Sequence, residues 1–124
     1  SYLSNMKNPS YFINFLNSIY QCKEPFELLV INKKPKTRMG VYIVNNKRIR
    51  IYSKWESYCT LEEIAIHEYA HHIHETEKRR SKDRRKERVH GAEFWRIYSA
   101  LMSQAILKGL FNDDLIEDII TRPK

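Results

Sequence analysis

Glycine, proline and cysteine are all scarce in this chain, with three, four and two copies among 124 residues. So little glycine and proline excludes collagen-like and low-complexity architectures, and 42% hydrophobic residues exclude a disordered chain. Long apolar runs are missing as well: Leu28–Ile31 and Ile64–Ile66 are among the longest, against the roughly 20 residues that a membrane-spanning helix needs. No membrane partner is expected. The opening Ser-Tyr-Leu-Ser-Asn has no basic segment followed by an apolar stretch, so no secretory signal is read and a cytoplasmic location is expected. Cys22 and Cys59 stand 37 positions apart, without the paired spacing of a zinc knuckle or a redox motif. They read as two free thiols, with a single disulfide as the alternative. Without a linker or an internal repeat, residues 1–124 are expected to form one domain.

Acidic residues are in the minority: 22 Lys plus Arg face 15 Asp plus Glu, a net charge of +7. Nearly all of the excess lies in Lys78–Arg88 (KRRSKDRRKER), where eight basic residues face Asp83 and Glu87, a local +6. Such a run is either a solvated surface segment or a footprint for a polyanion, because clustered Lys and Arg release counterions on binding phosphates. In the second case Arg79, Arg80, Lys82, Arg84, Arg85, Lys86 and Arg88 are the candidate contacts to DNA.

Asn8-Pro9 ahead of Phe12, Phe15, Leu16 and Ile19 supplies a cap, a first-turn proline and an i, i+3, i+4, i+7 apolar stripe, so residues 9–20 read as a helix. Three short β-branched and aromatic runs follow, Phe26–Ile31, Met39–Val44 and Arg48–Tyr52, separated by turn-forming residues. A three-residue turn at Asn45-Asn46-Lys47 would set Val44 opposite Arg48 and place Val41, Ile43, Ile49 and Ile51 on one face of an antiparallel hairpin. Thr60-Leu-Glu-Glu63 is a capping box that opens a second helix, whose end is left open because the basic segment is itself rich in helix formers. A third helix runs from His90 or Ala92 to Lys108-Gly109, with Trp95, Met102 and Ile106 beside its main stripe, two apolar faces that predict a buried helix. A short last helix is expected over Asp113–Ile120. Together these elements predict an α+β domain with a small antiparallel sheet of about three strands.

The capped helix contains His67-Glu68-Tyr69-Ala70-His71, an H-E-x-x-H pattern. Four residues along an α-helix advance about 6 Å and turn about 400°, so both imidazoles leave one face and can share one ion, with Glu68 beside it as a base for water. A catalytic zinc takes a third protein ligand and keeps a position open. His74 lies on the same face but about 10 Å from His67 along an unbroken helix, too far to share the ion. No glycine follows His71 to bend the chain back, which argues against a metzincin pattern. His72, turned about 100° from His71, reads as a surface residue. His90, directly before Gly91 at the start of the next helix, can be delivered by a loop, and Glu93, one turn later, is the carboxylate alternative or a partner that orients His90. Tyr69, His74, Arg96 and Tyr98 are conceivable oxyanion stabilisers, but each reads first as a core or surface residue, and the role is left unassigned.

His67-Glu68-x-x-His71 on a helix, followed by His90-Gly91-x-x-Phe94-Trp95 opening another, resembles the SprT-like zinc metallopeptidases. The likeness covers more than half of the chain, from the hairpin at Gly40–Tyr52 to about Met102. It implies a minimal zincin with one Zn²⁺ held by His67, His71 and His90, Glu68 as general base, and a protein or peptide as substrate. Several members of that family bind DNA and act on proteins attached to it, and here the basic segment falls between the second and third candidate ligands. The Cys-rich zinc ribbon of longer members has no counterpart in this sequence. Two other readings stand beside the peptidase: a nucleic-acid-associated zinc module without activity, and a zinc hydrolase of a small substrate.

Overall fold

In the computed structural model, which describes residues 8–54, 59–78, 80–83, 85–111 and 120–121, the order of elements is α1 (Pro9–Ile19), β1 (Glu27–Ile31), β2 (Gly40–Ile43), β3 (Arg48–Tyr52), α2 (Leu61–Thr76) and α3 (Ala92–Leu107). The α+β arrangement with a three-stranded sheet is the one expected from the sequence. The helix expected over Asp113–Ile120 lies, except for Ile120, outside the described residues.

The first helix forms where its local signals put it. Asn8 Oδ1 accepts the Ser10 N–H at 2.9 Å, Pro9 occupies the first turn, and Phe12, Phe15, Leu16 and Ile19 are buried. Each such side chain contributes about 1.5–3 kcal/mol of burial, so the stripe and not helix propensity holds α1 in place.

Strand order in the sheet is β1-β3-β2, and this corrects the wholly antiparallel sheet expected from the sequence. β2 and β3 pair antiparallel, but β3 inserts between β2 and β1 and runs parallel to β1. The segment 32–39 is too long for a tight hairpin and carries the chain past the place that β3 then fills.

The hairpin register also differs by one residue. Val44–Lys47 forms a four-residue turn closed by Lys47 N–H to Val44 O at 3.3 Å, with Lys47 at φ 51°, so Ile43 pairs with Arg48 and Tyr42 with Ile49. Because directly paired residues share a face, Gly40 and Tyr42, not Val41 and Ile43, lie on the face of the fully buried Ile49 and Ile51.

α2 is the central element, flanked by β2, β3, α1 and α3, and twelve of its sixteen residues are buried. That burial overturns the surface placement of His72, which is fully buried. Its Nε2 lies 2.8 Å from Glu24 O, a carbonyl that can only accept, so Nε2 carries the proton and Nδ1 accepts the Tyr42 O–H at 2.8 Å. One neutral imidazole therefore ties α2 to β2 and to the α1–β1 connection. Tyr69 makes a second tie, donating to Tyr20 O at 2.6 Å and accepting the Cys22 N–H at 3.2 Å. α3 is less buried than its two apolar faces suggest. Phe94, Ile97, Leu101 and Ala105 face the core, while Trp95 and Ile106 are about half exposed, at 46% and 49%.

Candidate metal centre

The capping box sets where α2 begins and hence which way its histidines face. Thr60 Oγ1 accepts the Glu63 N–H at 3.1 Å, and Glu63 returns a carboxylate to the Thr60 N–H at 2.9 Å. Six residues on from Leu61, His67 and His71 project from one side of the helix, and the chain ahead of α3 brings His90 to them from 19 positions away.

Each of the three offers a ring nitrogen within 4.8 Å of the others, and His71 Nε2 and His90 Nε2 are 3.0 Å apart. Two imidazole nitrogens at that distance either share one proton or aim their lone pairs at a common cation. Nitrogens bound at 2.0–2.1 Å around a tetrahedral ion stand about 3.3 Å from each other, so the donor set fits one zinc-sized ion. Burial pushes His67 down to about 4 and His71 to about 3, with neighbouring imidazoles adding to both, and burial followed by Arg38 lowers His90. All three rings are therefore neutral at pH 7, the state in which imidazole binds a metal. Fully buried Phe94 packs against all three, with ring centroids 5.0 Å from His67, 4.3 Å from His71 and 4.9 Å from His90.

Glu68 is 6% exposed and lines the same cleft of about 740 Å³ as the three histidines. Its burial raises the carboxyl to about 7, against the opposing pull of Arg38. The cleft is bounded along its length by Thr37–Tyr42 and Val44, the edge strand β2 and its approaches. Gly40 allows this closeness: a Cβ there would stand 2.8 Å from Ile64 Cγ2, 3.1 Å from Arg50 O and 3.2 Å from Glu68 Cγ. Sequence reasoning did not single out Gly40, although an isolated glycine at the start of a strand is the usual mark of a close approach.

Glu93, the alternative ligand, stands apart from this cluster. Its Oε2 accepts from Arg96 Nη1 at 2.7 Å, and both residues line a separate depression of about 560 Å³ at the start of α3. Of the oxyanion candidates, Tyr69 is committed to Tyr20 and Cys22, His74 to Glu87 and Arg96 to Glu93, whereas Tyr98 lines the cleft with its ring 5.9 Å from His67. Arg38, which the sequence did not flag, lines the cleft as well.

The basic segment is less uniform than its composition. Arg80 is turned inward, with Nε on Glu75 Oε1 at 2.5 Å, while Lys82, Arg85, Lys86 and Arg88 are exposed. Arg79 and Arg84 lie outside the described residues. Arg85, Lys86 and Arg88 line the second depression together with Arg96. No described helix is long and apolar enough to cross a membrane, and both cysteines are free.

No family model matches the chain, and no curated protein or solved structure matches it either.

Proposed function

We propose that this chain is a zinc-dependent endopeptidase of the SprT-like type. One observation carries the proposal: a neutral His67–His71–His90 trio and a buried Glu68 share a cleft bounded by an edge strand. His67, His71 and His90 would hold the zinc, and three imidazoles leave a position open for water or substrate. When bound, the ion would supply the Lewis acidity that makes water a nucleophile at neutral pH.

The remaining work falls to this chain's own residues. Glu68, raised to about 7 by burial, is suited both to take a proton from the attacking water and to return it to the leaving amine. β2, an edge strand among the described residues, can pair with an extended substrate segment through backbone hydrogen bonds, which favours unfolded or flexible protein and asks little of its side chains. Phe94 holds the imidazoles from behind, away from solvent.

The exposed Lys82, Arg85, Lys86 and Arg88 support DNA as a partner, with proteins attached to it as the substrate class. They also support the second reading, a nucleic-acid-associated zinc module without activity, but a metal site without catalysis has no use for a buried Glu68 beside its open position. Two free thiols go with a cytoplasmic location.

The test is metal content followed by cleavage. Wild type should hold about one zinc, weakened by His90→Ala, and should cut an unfolded protein. Glu68→Gln should keep the zinc and lose the cleavage. Cleavage that persists in Glu68→Gln refutes the role of the base, and a wild type that takes up no zinc refutes the whole reading.

A further inference from the structure

Between the second and third histidines the chain leaves α2, runs through the basic segment and returns with His90 at the start of α3. A flexible excursion of that length would present His90 in many places, yet its ring nitrogen stands 3.0 Å from that of His71. Two inward contacts restrict it. Arg80 holds Glu75, and its backbone N–H bonds His74 O at 3.2 Å. Further along, Glu87 uses both carboxylate oxygens: Oε1 accepts from His74 Nε2, and Oε2 accepts the Ser81 N–H at 2.7 Å. His74 is 1% exposed and lies on α2 three residues beyond His71, while Glu87 lies three residues before His90.

We propose that His74 and Glu87 are positioning residues, a clasp that fixes the loop carrying His90 so that the third nitrogen meets the other two. The inference rests on the metal-site reading above. It gives a role to a buried histidine on the ligand face of α2 that is too far along the helix to reach the ion itself. It also assigns one of the two acidic residues of the basic segment, Glu87, to the site and not to the surface.

The size of the effect follows from chain entropy. With the clasp made, the free chain leading to His90 is the three residues after Glu87; without it, the nearest side-chain tie to α2 among the described residues is Arg80, ten residues back. Loop-closure entropy scales as the three-halves power of length, so losing the clasp weakens the contribution of His90 by about sixfold.

The experiment is a Zn²⁺ titration against a competing chelator on the metal-free chain, with thermal melting of each variant alongside. Glu87→Ala should bind zinc about sixfold more weakly than wild type. Glu87→Gln should stay within about twofold, since its oxygen keeps the Ser81 N–H and its amide can donate to the other tautomer of His74. In a His90→Ala background, Glu87→Ala should change nothing further, because the clasp acts only through His90. A merely structural Glu87 would instead lower the melting temperature and leave affinity unchanged, or would weaken zinc equally with and without His90. Either result overturns the proposal. If Glu87→Ala does not fold, Glu87→Asp keeps the charge, withdraws it by one methylene and carries the same comparison. Zinc binding that His90→Ala weakens and Glu87→Ala does not defeats the clasp alone; a wild type that binds no zinc defeats the metal site and the clasp together.

Discussion

Replacing Gly40 with alanine tests how β2 and the Glu68 helix are fitted together. The added methyl has no free space: it would meet Ile64 Cγ2 at 2.8 Å, Arg50 O at 3.1 Å and Glu68 Cγ at 3.2 Å. Ordinary carbon contacts lie at about 3.5–4.0 Å, so relief requires several tenths of an ångström from the Ile64 methyl, the β3 backbone and the Glu68 side chain at once. The Ile64 methyl can turn away, but the Arg50 carbonyl is part of the β2–β3 ladder and Glu68 is buried. Overpacking of this kind costs about 1–3 kcal/mol, which for a domain of this size lowers Tm by about 4–12 °C. Cleavage should fall as well, because a carboxylate shifted by a few tenths of an ångström leaves the geometry it needs beside the reacting water. Zinc content should remain, since the three atoms that the added methyl meets most closely belong to Ile64, Arg50 and Glu68 and not to the three histidines. The assay is thermal melting, zinc content and cleavage of an unfolded protein on Gly40→Ala and wild type together. Melting within about 1 °C and unchanged cleavage would refute the argument that the close approach of β2 sets the position of Glu68.

Three further outcomes follow from the same geometry. Phe94→Ala removes a fully buried ring that touches all three imidazoles, so it should cost about 3–5 kcal/mol in denaturant unfolding and weaken zinc binding as well; a stable variant with unchanged zinc affinity contradicts the role of Phe94 as the wall of the site. Tyr42→Phe removes the partner of the buried Nδ1 of His72 and should cost about 1–3 kcal/mol, with an unchanged Tm ruling out that hydrogen bond as a stabilising tie. Neutralising Lys82, Arg85, Lys86 and Arg88 should flatten the salt dependence of any DNA binding by up to about 0.9 in slope for each phosphate left without its cation, and an unchanged slope makes the basic segment a bystander.

Which segments form elements, and where two of the helices begin, was legible in the sequence, because caps, turns and apolar periodicity are properties of a few neighbouring residues; the end of α2 at Thr76 was not. Asn8, Pro9 and the stripe from Phe12 to Ile19 delimit α1, and Thr60 with Glu63 opens α2 where the capping box says it should. The i, i+4 spacing of His67 and His71 is equally local, since the helix itself puts them on one face. What the sequence alone decided was therefore the α+β composition of the domain, two convergent histidines and the carboxylate between them.

Everything that depends on which distant segment comes to lie alongside was settled by packing. Inserting β3 between β1 and β2 made the sheet mixed, and one extra turn residue with Lys47 at φ 51° exchanged Val41 and Ile43 for Gly40 and Tyr42 on the buried face. His72 read as exposed only while α2 was taken to have a wet side; with sheet and helices around it, its imidazole became an internal tie. The sequence already favoured His90 over Glu93 as the residue that joins the pair, but the approach itself is tertiary: Arg96 holds Glu93 at the start of α3, while the chain between α2 and α3 returns His90 to the pair. Local sequence determines what a residue can do; the long-range closure of the chain, costly in entropy and compensated by buried contacts, determined which residues met.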